Sequence, residues 1–251
     1  MNEKAVSEAI GFILILGIVI SGIGLVTLYG YPVLMKEQSN TDVKNMERAM
    51  IVIQNDMKSL CFKNVPYKES TLQVSGGTLE VISATGGTMP VFEISGADFN
   101  TITFHPGALI YRSDRGTEVI TLENGAVMTR QEGAEGSAML AEPRWFYDGP
   151  TETLVIYLMK ITADERMAKS GMATVRMSLA SANPRVYNPT DQTVVVRYNE
   201  DADNKLSTAW KNYLTSSTVG MSGPSDPDYT YTLSRVKKLV IKEYEIKILG
   251  I

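Results

Sequence analysis

From Ala9 to Met35 the chain reads AIGFILILGIVISGIGLVTLYGYPVLM, 27 residues without a charge, set between Glu8 and Lys36. A helix rises about 1.5 Å per residue and a bilayer core is roughly 30 Å thick, so about 20 apolar residues suffice to cross it. Ala9 to Leu28 meets that length, and Tyr29 and Tyr31 follow where aromatic rings favour the lipid–water boundary. The pattern predicts a membrane-spanning helix, because a buried core helix seldom stays free of charge for so long. Pro32 has no backbone N–H and its ring crowds the carbonyl of Leu28, so a kink is expected near the outer end.

Past Lys36 the polarity changes but the helical period continues. Val43, Met46, Met50, Ile53, Met57 and Leu60 follow one another at alternating spacings of three and four, a single apolar stripe, with Asp42, Lys44, Glu47, Arg48 and Lys58 off it. One long helix from Ser7 to Phe62 is expected, its second half packing on a folded body. The stripe is too short to favour a coiled coil, and Asn64-Val65-Pro66 ends the helix.

From Tyr67 the pattern becomes β: short runs rich in Val, Ile, Thr and Tyr, punctuated by Gly, Pro, Asn and Asp. Thr71–Val74 and Thr78–Ile82 read as a hairpin about Ser75-Gly76-Gly77. Strands are expected at Thr101–Phe104, Ala108–Arg112 and Glu118–Glu123, with a turn at Asp114-Arg115-Gly116. Asn124-Gly125 is the strongest hairpin signal, since both residues tolerate the positive φ of a type I′ turn. After a polar loop at Glu132–Gly136, the nearly all-apolar Thr153–Thr162 predicts a strand buried on both faces. Thr174–Ser178 and Thr193–Tyr198 are further strands. Ser207–Leu214 reads as a short helix with Ser207 as its N-cap, and Trp210 and Leu214 turned to the sheet. Gly220–Asp228 reads as a loop. Lys242–Leu249 alternates, with Tyr244, Ile246 and Ile248 on one face. The fold class is therefore α+β: a long N-terminal transmembrane and amphipathic helix followed by a mainly antiparallel, β-rich, sandwich-like domain. The segments are residues 1–5 as leader, 6–35 as transmembrane helix, 36–63 as its amphipathic continuation, and 67–251 as the β-rich domain.

Composition narrows the function. A net charge of −4 argues against nucleic acid, which calls for a basic face. One cysteine, Cys61, excludes an intramolecular disulfide framework and a multi-cysteine metal site. The lone histidine, His105, sits in Phe104-His105-Pro106-Gly107 and reads as a turn residue. Asn199, Asp201 and Asp203 alternate like the start of a calcium loop. An EF-hand needs Gly where Asn204 stands and Glu where Trp210 stands, so the motif fails. No P-loop, G-x-S-x-G, H-E-x-x-H or G-x-G-x-x-G occurs, and Pro189 blocks the one glycosylation sequon, at Asn188. No catalytic, cofactor or metal site is expected, and the chain does not read as an enzyme.

The residues ahead of the apolar run are Met1-Asn2-Glu3-Lys4-Ala5-Val6-Ser7-Glu8. A secretory signal peptide would have a shorter apolar stretch followed by a small-residue cleavage site, and neither is present. A polar leader with Lys4-Ala5 before the helix, and Glu8 three residues on, resembles the class III signal of type IV pilins and archaeal pilin-like proteins. That resemblance implies a prepilin-type peptidase cutting on the cytoplasmic side between Ala5 and Val6, with Lys4, Ala5 and Val6 as the processing site. The helix then stays on the mature protein. Bacterial type IV pilins have Gly before the cut and Glu at the fifth mature position. Ala5 and a third-position Glu8 depart from this and favour the archaeal branch. The residues alone leave another reading open, in which Glu3, Lys4 and Glu8 are the hydrated flank of an uncleaved anchor.

Gly17 and Ser21 are four apart, a small-xxx-small pair that lets two helices approach closely in lipid, although glycine is also simply common in membrane helices. The resemblance implies that Glu8 pairs with the Val6 amine of a neighbouring subunit and that the helix self-associates. The β-rich body, with LIYRSDRGTEVITLENGAVMTRQ and the Ala209-Trp210 helix, is more loosely similar to large archaeal pilin-like membrane proteins. Three function classes follow. The leading one is a pilin-like structural, cell-surface protein, single-pass, with a cytoplasmic N-terminus and its β domain outside the cell. The second is an uncleaved membrane-anchored β domain that binds a surface partner. The third is a membrane-tethered exoenzyme, to be recognised by a cluster of perturbed carboxylates.

Overall fold

The computed structural model describes residues 3–63, 65–86, 90–189, 192–225 and 229–251, apart from the side chains of residues 3–9 and 225. The chain divides into two compact units, Met1–Asp42 and Val43–Ile251. In the first, the apolar run forms helix α1 (Glu3–Leu25), a single π turn at Val26–Gly30, and the start of α2 (Tyr31–Lys63). The helix thus begins four residues before the expected Ser7. The π turn falls just ahead of the proline: Pro32 donates no N–H, and Tyr31 N–H bonds to Val26 O, five residues back. The hydrogen-bond ladder thus shifts by one residue beside Pro32, in the stretch where the sequence suggests a kink.

In the second unit the apolar stripe of α2 buries as its spacing requires. Met46, Met50, Met57 and Leu60 are fully enclosed, with Ile53 and Val43 nearly so. Enclosing each such side chain contributes about 1.5–3 kcal/mol. Their partners are Leu72, Val74, Leu109, Ile120, Leu122 and Val127 on one face of a large sheet. Gln54, buried among them, donates through Nε2 to Gly125 O at 2.7 Å and Glu142 O at 3.0 Å.

The strands are β1 (Tyr67–Ile82), β2 (Val91–Gly96), β3 (Phe99–Phe104), β4 (Ala108–Ser113), β5 (Glu118–Glu123), β6 (Ala126–Gln131), β7 (Ser137–Ala141), β8 (Phe146–Asp148), β9 (Thr153–Thr162), β10 (Met167–Tyr187), β11 (Val194–Asn199), β12 (Ser222–Ser225), β13 (Thr230–Leu233) and β14 (Lys238–Gly250). Helix α3 (Ser207–Leu214) lies between β11 and β12 in sequence. A nine-stranded sheet has the order β7-β6-β5-β4-β1-β10-β14-β9-β8, and a five-stranded sheet the order β12-β13-β11-β2-β3. Pairing is antiparallel except between β14 and β9.

This unit is layered: α2 from Val43 on one face of the large sheet, and the small sheet with α3 on the other. The period-two alternation of β9 feeds both cores. Met159 and Ile161 face α2, whereas Leu154, Ile156 and Leu158 face the second sheet. That second core also holds Phe92, Trp145, Tyr198 and Trp210.

Local signals gave several elements with their ends. β5, β9 and α3 match the expected spans, and Asn124 and Gly125, which lead into β6, take φ of 48° and 74° as a type I′ turn demands. Elsewhere tertiary pairing overrides the turn residues. Ser75-Gly76-Gly77 makes no hairpin. β1 runs through it with a register shift between Val74 and Leu79, Gly76 taking φ of 61° while both halves stay paired to β10. Ser207 is not the N-cap of α3. Leu206 occupies that position, and Glu200 Oε2 accepts the Ser207 N–H at 2.8 Å instead. β12 lies in the stretch expected to be loop, whose residues 226–228 fall outside those described. Asn64 also falls outside them.

Candidate functional site

Two regions carry chemistry beyond packing. The first is the N-terminal helix. From Ile10 to Leu34 its large apolar side chains are solvent-exposed, Phe12 by 68% and Leu28 by 70%. A Cβ built on Gly11, Gly17, Gly22 or Gly24 would meet nothing within 4 Å, so packing inside this chain does not require glycine there. Thr27 turns its hydroxyl back to Ile23 O at 2.9 Å, which satisfies it without water. The 54-residue helix Ile10–Lys63 is long and apolar enough to cross a membrane, the length and composition that an anchor or a signal sequence has. Gly17 and Ser21 lie one turn apart on α1. Lys4, Ala5, Val6 and Glu8 are within α1, but their side chains are outside those described.

The second region is on the inner face of the large sheet. Along β5, Val119, Thr121 and Glu123 point away from α2, toward the small sheet, and Arg130 of β6 shares that face with Ala126 and Met128. Thr121 Oγ1 and Arg130 Nε both donate to Asn204 Oδ1, at 3.3 Å and 3.0 Å, which ties the loop after β11 to the sheet. Glu123 is fully buried, and its Oε1 accepts from Trp210 Nε1 at 3.1 Å and from Tyr198 Oη at 3.2 Å. One carboxyl thus joins three elements: β5, β11 and α3. Oε2 is buried and has no hydrogen-bond partner among the described residues.

Burial pushes the Glu123 carboxyl up to about 8. The hydrogen bonds from Trp210 and Tyr198 pull against that rise, and the nearby Asp201 and Glu200 add to it. The Tyr198 hydroxyl is raised well above its usual range, first by burial and then by Glu123. Trp210 Nε1–H can only donate, so Oε1 is an acceptor and the proton of the neutral acid resides on Oε2. Next to Glu123 lies a cavity of about 230 Å³, whose wall includes Glu123, Asp201, Asn204, His105, Ile82, Ala108 and Ile110. The arginines on its wall are engaged: Arg166 with Glu80 at 2.6 Å and Arg112 with Glu132 at 3.4 Å.

A family described as "Family of unknown function (DUF7289)" matches residues 4–248. The chain belongs to this family. No curated protein and no solved structure matches it. In this DUF7289 chain no group of three or more His, Cys, Asp or Glu among the described residues is placed to hold a metal ion. The calcium-like run Asn199, Asp201, Asp203 closes on itself instead, with Asp201 Oδ1 accepting the Asp203 N–H at 2.8 Å. Cys61 is buried against the large sheet, and burial pushes its thiol up to about 12.

Sequence reading passed over Glu123, Trp210 Nε1 and Tyr198 Oη as a group. Glu123 stands just before a hairpin turn, where a carboxylate is ordinarily solvated. Only the antiparallel pairing that sets Ala108 and Ala126 on either side of it places it inside. The one available signal was alternation: position 123 falls on the inward face of a strand whose other face is Ile120 and Leu122.

Proposed function

We propose that this DUF7289 protein is an archaeal type IV pilin-like cell-surface subunit. Its N-terminal helix is held in the bilayer or in a filament core, and its β-rich domain stands outside the cell. The observation that carries the reading is the exposed apolar surface of Ile10–Leu34, a length that lipid or neighbouring helices would cover. The small residues support it, since nothing among the described residues accounts for Gly17, and Gly17 with Ser21 offers a close-approach face to a second helix. On this reading a prepilin-type peptidase cuts between Ala5 and Val6, and the new amine of one subunit pairs with Glu8 of the next. In an apolar core an unpaired carboxylate is costly, so the pair sets the register of assembly. The role is structural rather than enzymatic, and nucleic acid is not a partner. The buried acid at Glu123 is engaged in joining β5, β11 and α3 through its hydrogen bonds from Tyr198 and Trp210.

Glu8→Ala tests the reading in native membranes. Membrane insertion is expected to persist while assembly with other subunits is lost; normal assembly of the variant would refute the pairing. A second reading is an uncleaved anchor that presents the β domain to a surface partner. The cavity beside Glu123 favours it, because a binding module needs a recess that a purely structural subunit does not.

A further inference from the structure

The cavity beside Glu123 is two-faced in its chemistry. One wall is aliphatic, from Ile82 on β1 and Ala108 and Ile110 on β4. The other is acidic and polar, from Glu123, Asp201 and Asn204. Depth follows the same order: Glu123 and Asn204 are buried, Asp201 is half-buried, and Asp203 on the wall is exposed. Glu123 faces Ala108 across β4 and Ala126 across β6 in register, so two small side chains flank the carboxyl where it lines the cavity. Its Oε2 is buried and lacks a hydrogen-bond partner among the described residues, a state that native interiors seldom leave uncompensated.

We propose that this cavity binds a primary alkylammonium group, with Glu123 Oε2 and the Asp201 carboxylate accepting its N–H bonds and Ile82, Ala108 and Ile110 covering its aliphatic chain. An ammonium offers three donors to an acceptor-rich end, and a short alkyl stem suits an aliphatic wall. A bare metal ion fits less well, because among the described residues no three His, Cys, Asp or Glu side chains converge on one. An anion fits less well too, because the wall arginines already hold Glu80 and Glu132. The ammonium arrives either on a free aliphatic amine or on a lysine side chain of a partner, and the chemistry is common to both. Binding ionises Glu123, whose proton leaves to solvent. The charged and titratable groups around it are Tyr198, Glu200, Asp201 and Asp203 from β11 and its following loop, His105 before β4, Arg112 on β4, Glu80 on β1 and Arg166 before β10, with Arg130 on β6 hydrogen-bonded to Asn204.

The test is calorimetric titration of the full chain in detergent at pH 7 with n-butylammonium chloride, Nα-acetyl-lysine amide and tetramethylammonium chloride. Saturable binding is expected for one or both of the first two and not for the third, which has no N–H. Release of a proton is read from the change in heat between buffers of different ionisation enthalpy. Preference for n-butylammonium assigns the site to a free amine, and preference for the lysine amide assigns it to a partner's lysine. Glu123→Gln is expected to weaken binding by about tenfold or more and to abolish proton release. Asp201→Asn, on the half-buried loop, carries the test independently of any folding defect at position 123, with binding expected to fall severalfold. Absence of saturable binding by both amines overturns the proposal. Equal binding of tetramethylammonium, or unchanged affinity in both variants, overturns it as well.

Discussion

Glu123→Gln provides a direct measure of how the two sheets are joined. In the folded chain the Glu123 carboxyl is raised from 4.5 to about 8, chiefly by burial, so the folded state holds a proton that the unfolded state has released. Below about pH 4.5 both states are protonated and the stabilising contribution is complete. Between there and about pH 8 the unfolded state ionises first, and stability falls as pH rises. Above about pH 8 the loss is complete. Each pH unit between the unfolded and folded pKa values is worth about 1.4 kcal/mol at full slope, so the loss across that window is roughly 5 kcal/mol.

Glutamine keeps a carbonyl oxygen for the Trp210 and Tyr198 donors and does not titrate. The difference between wild type and variant therefore isolates this one group from every other ionisation. Trp145 and Trp210, the two tryptophans of the chain, are both buried in the core between the sheets, so their fluorescence reports on unfolding of this region. Urea denaturation at intervals from pH 5 to pH 9 is expected to give wild-type stability that declines relative to Glu123→Gln. Parallel curves for the two proteins, or a wild type that gains stability with pH, would refute the buried, protonated carboxyl.

Three further outcomes follow from the packing. Met50→Ala, at a fully enclosed position of the α2 stripe, is expected to cost about 2–5 kcal/mol in denaturant unfolding of the body. Gln54→Ala withdraws the donor from Gly125 O and Glu142 O and is expected to cost about 1–3 kcal/mol, with the largest loss of amide-exchange protection at the Asn124-Gly125 turn. The Cys61 thiol, buried and raised to about 12, is expected to resist a thiol-reactive dye in the folded chain and to label fully in denaturant; rapid labelling at neutral pH would contradict its placement.

What the sequence disclosed depends on whether the signal was local. The α2 stripe, the Asn124-Gly125 turn, the two-sided β9 and the α3 helix each rest on a period or turn preference within a dozen residues, and each appears in the fold. β2, β7, β8 and β13 were missed because runs of three to six residues with mixed polarity carry little period of their own. β10 extends to Tyr187 through Ala182-Asn183-Pro184-Arg185, well past the expected end at Ser178. It is held in register by β14, where Pro184 sits opposite Lys242. The Gly76 turn signal was real as a preference for positive φ, but strand pairing on both sides turned it into a bulge. The Glu123 group was hidden for a different reason. Tyr198 lies 75 residues from Glu123 and Trp210 lies 87, so only topology brings them together. The Asn199–Asp203 run, whose spacing fails as an EF-hand, marks the loop whose Asp201 and Asp203 line the cavity beside Glu123.

The central claim is a pilin-type N-terminal helix, and the nature of the mature N-terminus tests it most directly. Intact mass and N-terminal sequencing on protein from native membranes are expected to show a chain that begins at Val6, with Glu8 as its third residue. A chain that begins at Met1 or Asn2 would contradict processing by a prepilin-type peptidase and leave a membrane-anchored β domain in place of a filament subunit.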